Sequence, residues 1–267
     1  MQNKYVGDLG DYGKYALLRQ LCGIHADLEP HLRLGVIWYL VPDEPGNDGK
    51  HVSYLNGIRP RDRRLRECDP ELFRALGEIV AKRRDVAAIR RRGILPPDTA
   101  FFERQLKYSS VAGSTIELRQ RHRNQWLREA VDQTAGCDII FVDPDNGLEC
   151  GVHPYAPKGP KYVFYNELRD YLRLNHTVVI YHHLSRQGKH LSQIEWHRSK
   201  LMERLRVTGD ILALRYRRGT ARAYFILPAE RHRSIIHQRI KGLVDGPWGY
   251  EKRFELVPGG VSAQHGL

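Results

Sequence analysis

Three short stretches of the chain are apolar almost without interruption: 33–41 (RLGVIWYLV), 138–142 within CDIIFVDPDNGLE, and 176–184 (HTVVIYHHL). β-branched and aromatic residues dominate them, so each reads as a strand buried on both faces. Pro42 ends the first and the second stops at Asp143. Between them the apolar positions recur with a helical period. In 11–23 (DYGKYALLRQLCG), Leu17, Leu18 and Leu21 fall on one face and Gly23 is the stop signal. In 124–136 (NQWLREAVDQTAG), Trp126, Ala130 and Val131 share a side and Gly136 terminates the helix. Helices are also expected over 69–92 (one or two, with exposed Arg faces), 100–108, 160–172, and 190–206 with Ile194, Leu201 and Leu205 inward. A short strand is expected at 114–120 (STIELRQ), and a terminal strand pair, possible as an antiparallel edge, at 211–217 and 222–228. The segments 42–50 (PDEPGNDGK) and 93–99 (GILPPDT) are loops by composition.

Strands that alternate with helices give an α/β class with a mostly parallel sheet and helices on both faces. A single α/β domain over 1–257 is expected, with a helical insertion around 60–110 and a flexible tail at 258–267. In such sheets ligands bind beyond the carboxyl ends of the strands.

Composition then narrows the class. The chain has 267 residues, 41% hydrophobic, enough to bury a core without a disulfide or metal staple. No apolar run approaches the roughly 20 residues that span a bilayer. No apolar leader opens the sequence, so a cytoplasmic protein is expected. Cys22, Cys68, Cys137 and Cys150 are dispersed, which fits reduced thiols. The formal charge is +12, and the 43 basic residues are 11 Lys and 32 Arg. Arg clusters at 59–66, 82–92, 119–128 and 215–222 suggest a polyanion, with nucleic acid (RNA or DNA) the first candidate. An Arg excess also arises from genomic base composition.

Four groups of residues lie where chemistry is expected. Asp143-Pro144-Asp145-Asn146-Gly147 directly follows a buried strand; Pro144 stiffens the turn and Gly147 tolerates unusual backbone angles. Its carboxylates and amide suit an exocyclic amine or a metal. Gly7-Asp8-Leu9-Gly10-Asp11-Tyr12-Gly13-Lys14-Tyr15 opens the first helix, with Asp11 as the expected N-cap and free amides that favour an anion. Asp43, Glu44, Asn47 and Asp48 follow the first strand, where nucleotide-type folds hold a cofactor. His182 and His183 end a strand and must face opposite ways. Lys161 and Tyr162 precede the helix leading into that strand.

Taken together, Gly7-Asp8-x-Gly10-Asp11-x-x-Lys14-Tyr15-x-x-Leu18, His122-Arg123-Asn124-Gln125-Trp126, Ala130, and Ile139-Ile140-Phe141-Val142-Asp143-Pro144 resemble the bacterial large-ribosomal-RNA adenine-N6 methyltransferases. The likeness is patchy and covers about a third of the chain, chiefly 7–18 and 120–147. It implies a Rossmann-like methyltransferase fold that uses S-adenosylmethionine. It also implies that Asp143 and Pro144 sit beside the amine to be methylated, with Lys14 and Tyr15 near the cofactor. The cofactor set expected is Gly7, Asp8, Asp11, Lys14, Tyr15, Asp43 and Glu44. Asn124, Lys161, His182 and His183 are the candidate substrate residues. The family's D-P-P-Y motif stands here as Asp143-Pro144-Asp145-Asn146, so its stacking aromatic is absent; Tyr155, Tyr162 and Trp38 are the candidate replacements. The family's glycine-rich cofactor loop is also absent.

Two other classes stay open. Asp143, Asp145 and His182 or His183 could hold a divalent ion that activates water for a nuclease or phosphoesterase. A non-catalytic nucleic-acid-binding protein on the same scaffold is the third.

Overall fold

The computed structural model describes residues 1–24, 28–46, 49–109, 111 and 115–259. Asn47, Asp48 and nearly all of the expected tail lie outside them. The elements follow in the order α1 (Leu9–Cys22), β1 (Leu34–Trp38), α2 (Pro60–Cys68), α3 (Pro70–Lys82), α4 (Val86–Arg91), β2 (Ala100–Phe102), α5 (Ile116–Thr134), β3 (Ile139–Asp143), β4 (Gly147–Leu148), β5 (Tyr162–Val163), α6 (Tyr165–Arg173), β6 (Thr177–His183), α7 (His190–Leu205), β7 (Leu212–Tyr216), β8 (Arg222–Leu227), α8 (Arg233–Asp245) and β9 (Phe254–Val257).

The protein is α/β. A seven-stranded sheet runs β2-β1-β3-β6-β8-β7-β9, and β4 pairs with β5 in a small second sheet. β2, β1, β3 and β6 are parallel. β8 runs against both β6 and β7, and β9 runs against β7. The sheet is therefore parallel on one side and antiparallel on the other. Its two faces bury different sets of side chains. Val36, Trp38, Phe141, Val179, Tyr181 and Tyr216 pack with α1, α2, α3, α4 and α8. Ile37, Ile140, Val142, Ile180 and Phe225 pack with α5, α6 and α7. This is the helix-covered, Rossmann-like arrangement in which central strands are apolar on both faces.

Three local expectations are corrected. Residues 100–108 are not a helix: 100–102 form β2, which extends the sheet beside β1 through the register Gly35 to Ala100. Residues 116–120 are not a strand but the first turn of α5, whose N-cap Thr115 accepts from the Leu118 amide at 3.3 Å. The helix expected from 160 begins at Tyr165, because Tyr162 and Val163 pair with Gly147 and Leu148.

Candidate functional site

β3 and β6 end side by side, at Asp143 and His183, and β8 starts opposite His183 at Arg222. A cleft of about 290 Å³ opens over these ends, just under the roughly 300–1,000 Å³ of ordinary small-ligand sites. Four segments wall it: Asp8, Gly10, Asp11 and Lys14 at the start of α1; Asp143 to Asn146 after β3; Tyr181 and His183 of β6; and Thr220 and Arg222 at β8. Met1, Tyr5, Gly49 and His51 complete the lining.

The first wall is built by packing as much as by polarity. Asp8, not Asp11, caps α1, accepting from the Asp11 amide at 2.8 Å. The Asp11 carboxylate turns back to accept from the Gly7 amide at 3.2 Å. The helix start is thus occupied by its own carboxylates rather than left open to an anion. The glycines serve close approach: a Cβ on Gly13 would meet the Tyr216 ring at 2.5 Å, and one on Gly10 would collide with the Arg222 guanidinium.

Lys14 joins this wall to β3. Its ammonium donates to Asp11 at 2.9 Å and to Asp143 at 2.8 Å, and all three groups are buried. Burial opposes the Lys14 charge, but the Asp11 and Asp143 carboxylates outweigh it and hold the ammonium well above its usual pKa. Asp11 moves the other way. Burial raises it to about 6 against the pull of Lys14, with Asp8 adding repulsion. Asp145 is buried too, yet it is held below the usual carboxylate range by the Met1 amino group, the Gln2 amide at 2.8 Å and Lys161 at 3.5 Å.

His183 and Tyr181 form the third wall. Arg222 Nε donates to the Tyr181 hydroxyl oxygen at 2.8 Å, and that oxygen lies 2.9 Å from His183 Nε2. A guanidinium only donates. The phenol has one proton left to donate and His183 Nε2 lies within reach of it, so we assign the Tyr181 O–H as the donor and place the neutral ring's proton on Nδ1. Burial pushes the Tyr181 hydroxyl up to about 12, which keeps it a donor. Burial, with the Arg222 charge nearby, pushes His183 down to about 3. His183 thus offers a donor N–H at the cleft, not a basic nitrogen.

Several sequence candidates lie elsewhere. His182 faces the other side of the sheet, where its ring lies 4.1 Å from that of His197 and its Nδ1 accepts from the Leu148 amide at 3.1 Å. Asn124 is exposed on α5, away from the cleft lining. Its neighbour Arg123 is buried against Glu167 and bonds the Gly159 and Tyr162 carbonyls. Asp43 and Glu44 are exposed outside the cleft. Asp43 accepts from the Lys4 amide at 3.3 Å, and Glu44 pairs with Lys161 at 2.5 Å. Met1 and Gln2 bond across the edge between β1 and β3: the Met1 amino group donates to the Tyr39 carbonyl at 2.9 Å, and Gln2 bridges Asp145 and the Glu44 amide. Gly7 backs the α1 wall, and Tyr15 lies in the core rather than in the cleft lining. Trp38 stacks on Phe101 in the core, so it is no replacement ring; neither Tyr155 nor Tyr162 lines the cleft, whereas Tyr5 does. Sequence reasoning passed over Tyr5, His51, Tyr181 and Arg222. Arg222 was present only as one member of an arginine run, and Tyr181 as one apolar strand position.

Asp143, Asp145 and His183 line the cleft together, and His182 does not join them. Among the described residues, no group of three or more His, Cys, Asp or Glu side chains is placed to hold a metal ion. No helix among them is long and apolar enough to cross a membrane, and all four cysteines are free. No protein-family model matches the chain, and no curated protein matches its sequence.

Proposed function

We propose that the cleft holds a nucleic-acid base with an exocyclic amino group, and that the protein is an S-adenosylmethionine-dependent methyltransferase acting on that amine. One observation carries the reading. Carboxylate and amide side chains that can accept (Asp143, Asp145, Asn146) line a single small cleft together with His183, to whose Nδ1 we assign a donor N–H. An amine beside an unprotonated ring nitrogen, as in adenine or cytosine, presents the complementary order of donor and acceptor. Asp143, ion-paired with Lys14, accepts from the amine and fixes the direction of its lone pair. Asn146 accepts its second hydrogen, and His183 donates to the ring nitrogen. Catalysis in this scheme is mostly positioning, which suits a rigid, hydrogen-bonded pocket. A base inside such a recess must be unstacked from its neighbours, and Tyr5 is the ring available to lie against it.

The cofactor supplies an electrophilic methyl group when bound. The chain's charges fit its zwitterionic end: Asp8 and Asp11 suit an ammonium, and Arg222 suits a carboxylate. Asp145 Oδ1 is a buried carboxylate oxygen that makes no hydrogen bond among the described residues but is ion-paired with the Met1 amino group at 3.5 Å. Asp43 and Glu44 have no part in this assignment. The test is isothermal calorimetry with S-adenosylmethionine, followed by transfer of labelled methyl to adenine- and cytosine-containing oligonucleotides. Binding is expected, and Asp143→Asn is expected to lower transfer by about a hundredfold or more, as the removal of one preorganised polar group does. No heat at millimolar cofactor sinks the methyl donor, and equal transfer by Asp143→Asn sinks the amine assignment.

A further inference from the structure

A second cavity, of about 260 Å³, adjoins the cleft between the start of α2 and the turn that joins β7 to β8. Four arginines line it: Arg61, Arg217, Arg218 and Arg253. Its acids are outnumbered. Glu251 accepts from Arg64 at 2.9 Å and from Arg218 at 2.5 Å, with Arg253 at 3.8 Å. Asp62 is buried on the inner side of α2, 3.5 Å from Arg61. Arg61 is 69% exposed, and the exposed Arg217 has no ion pair among the described residues. A concave surface with surplus guanidinium groups is complementary to phosphate, which the planar fork binds through two parallel hydrogen bonds.

The two cavities are neighbours in the chain as well as in space. His51 lines both. In the β7–β8 connection, Arg217, Arg218 and Gly219 face the arginine cavity, whereas Thr220 and Arg222 face the cleft. Gly219 adopts a positive φ of 71°, which lets the chain turn between the two walls.

We infer that the arginine cavity is a phosphate subsite, holding the backbone of a single nucleic-acid strand while the base of the adjoining nucleotide enters the cleft. This rests on the reading of the cleft as a base pocket. A single strand is favoured because its bases leave the stack at little cost, and a recessed cleft demands that they do.

The probes are fluorescein-labelled single strands of mixed sequence, one RNA and one DNA, titrated by anisotropy over a range of salt. The double variant Arg61→Ala/Arg217→Ala is expected to lose about tenfold or more in affinity. Its slope of log affinity against log salt should fall by about 1.4, roughly 0.7 for each phosphate contact removed from a single strand. Arg173→Ala, exposed on α6, is the control for lost charge alone and should bind like wild type. A loss on either strand supports the subsite and assigns the sugar. Unchanged affinity and slope in the double variant overturn it, as does equal loss in Arg173→Ala. Polyglutamate bound as tightly, with the same sensitivity to the double variant, also overturns it, since the occupant would then be an acidic protein. Methyl incorporation into the same strands is scored separately. Binding through Arg61 and Arg217 without incorporation leaves the subsite standing and removes the amine reading.

Discussion

The Tyr181 hydroxyl decides what His183 can do. It receives from Arg222 on one side and has one proton to give on the other, so the histidine has a fixed tautomer rather than a choice. Tyr181→Phe removes both bonds while keeping the ring in the core. The His183 ring resonances of the wild type are expected to stay constant from pH 8 to pH 4, because its pKa lies near 3. In Tyr181→Phe, Nε2 loses its partner, and affinity for an amine-bearing base should fall about tenfold, the scale of one lost hydrogen bond. Wild-type resonances that move near pH 6.5 would refute the relay. A histidine in a sequence carries no sign of its tautomer, which here is imposed by Arg222, 39 positions away.

At the scale of elements, the glycines of α1 show how a motif can be visible and its purpose not. Gly7, Gly10 and Gly13 read as a flexible or anion-holding lead, whereas Gly10 and Gly13 let α1 press against Arg222 and Tyr216, and Gly7 packs against Val80 of α3. Gly13→Ala makes this measurable. Alanine gains about 1 kcal/mol in helix propensity, but overpacking costs about 1–3 kcal/mol. Tyr216 is fully buried and its hydroxyl donates to the Leu9 carbonyl at 3.1 Å, so it has little room to yield. The clash should win, and urea denaturation should show a less stable protein; a gain in stability would mean that Tyr216 moves aside. The buried strands β1, β3 and β6 were legible because an apolar run on both faces has few other uses. β2 was not, because Ala100-Phe101-Phe102 is a strand only by virtue of pairing with β1. The start of α5 was misread because β-branched Thr115 and Ile116 favour strands locally, while the Thr115 cap and nineteen residues of helix override them. The Asp143 turn was found by its place after β3, and His182 was separated from His183 only by the actual facing of β6.

For the whole molecule, part of the arginine surplus serves the fold itself. Arg123, Arg198 and Arg239 are buried and bond backbone carbonyls of distant segments: Arg198 bonds Val257 and Pro258, and Arg239 bonds Leu21 and Leu28. These stitch the fold, and many exposed arginines, Arg64 and Arg92 among them, are paired with carboxylates. Global stability should also respond to acid. Burial pushes His197 down to about 4 and His182 well below 6.5. The unfolded chain therefore takes up these protons first. Their contribution is complete above about pH 6.5 and is lost as pH falls toward 4, by up to roughly 1.4 kcal/mol per pH unit for each group. Asp11 works in the opposite sense. Its raised pKa near 6 favours the fold fully below about 3.8 and loses that effect as pH rises through 6. With His182, His183 and His197 against one raised carboxylate, denaturant midpoints should fall from pH 6.5 to pH 4, and His197→Gln should flatten the decline. A midpoint that rises on acidification would contradict the burial of the pair.

The cleft has one more property, set by the order in which its walls occur in the chain. Asp8 faces Arg222 at 3.7 Å, and Lys14 waits on Asp143. On the ribosome the last wall emerges more than two hundred residues after the first. A chain interrupted before Arg222 holds Lys14, Asp8 and Asp11 without the full set of partners that closes the cleft, so its pocket is unformed until β8 has been made.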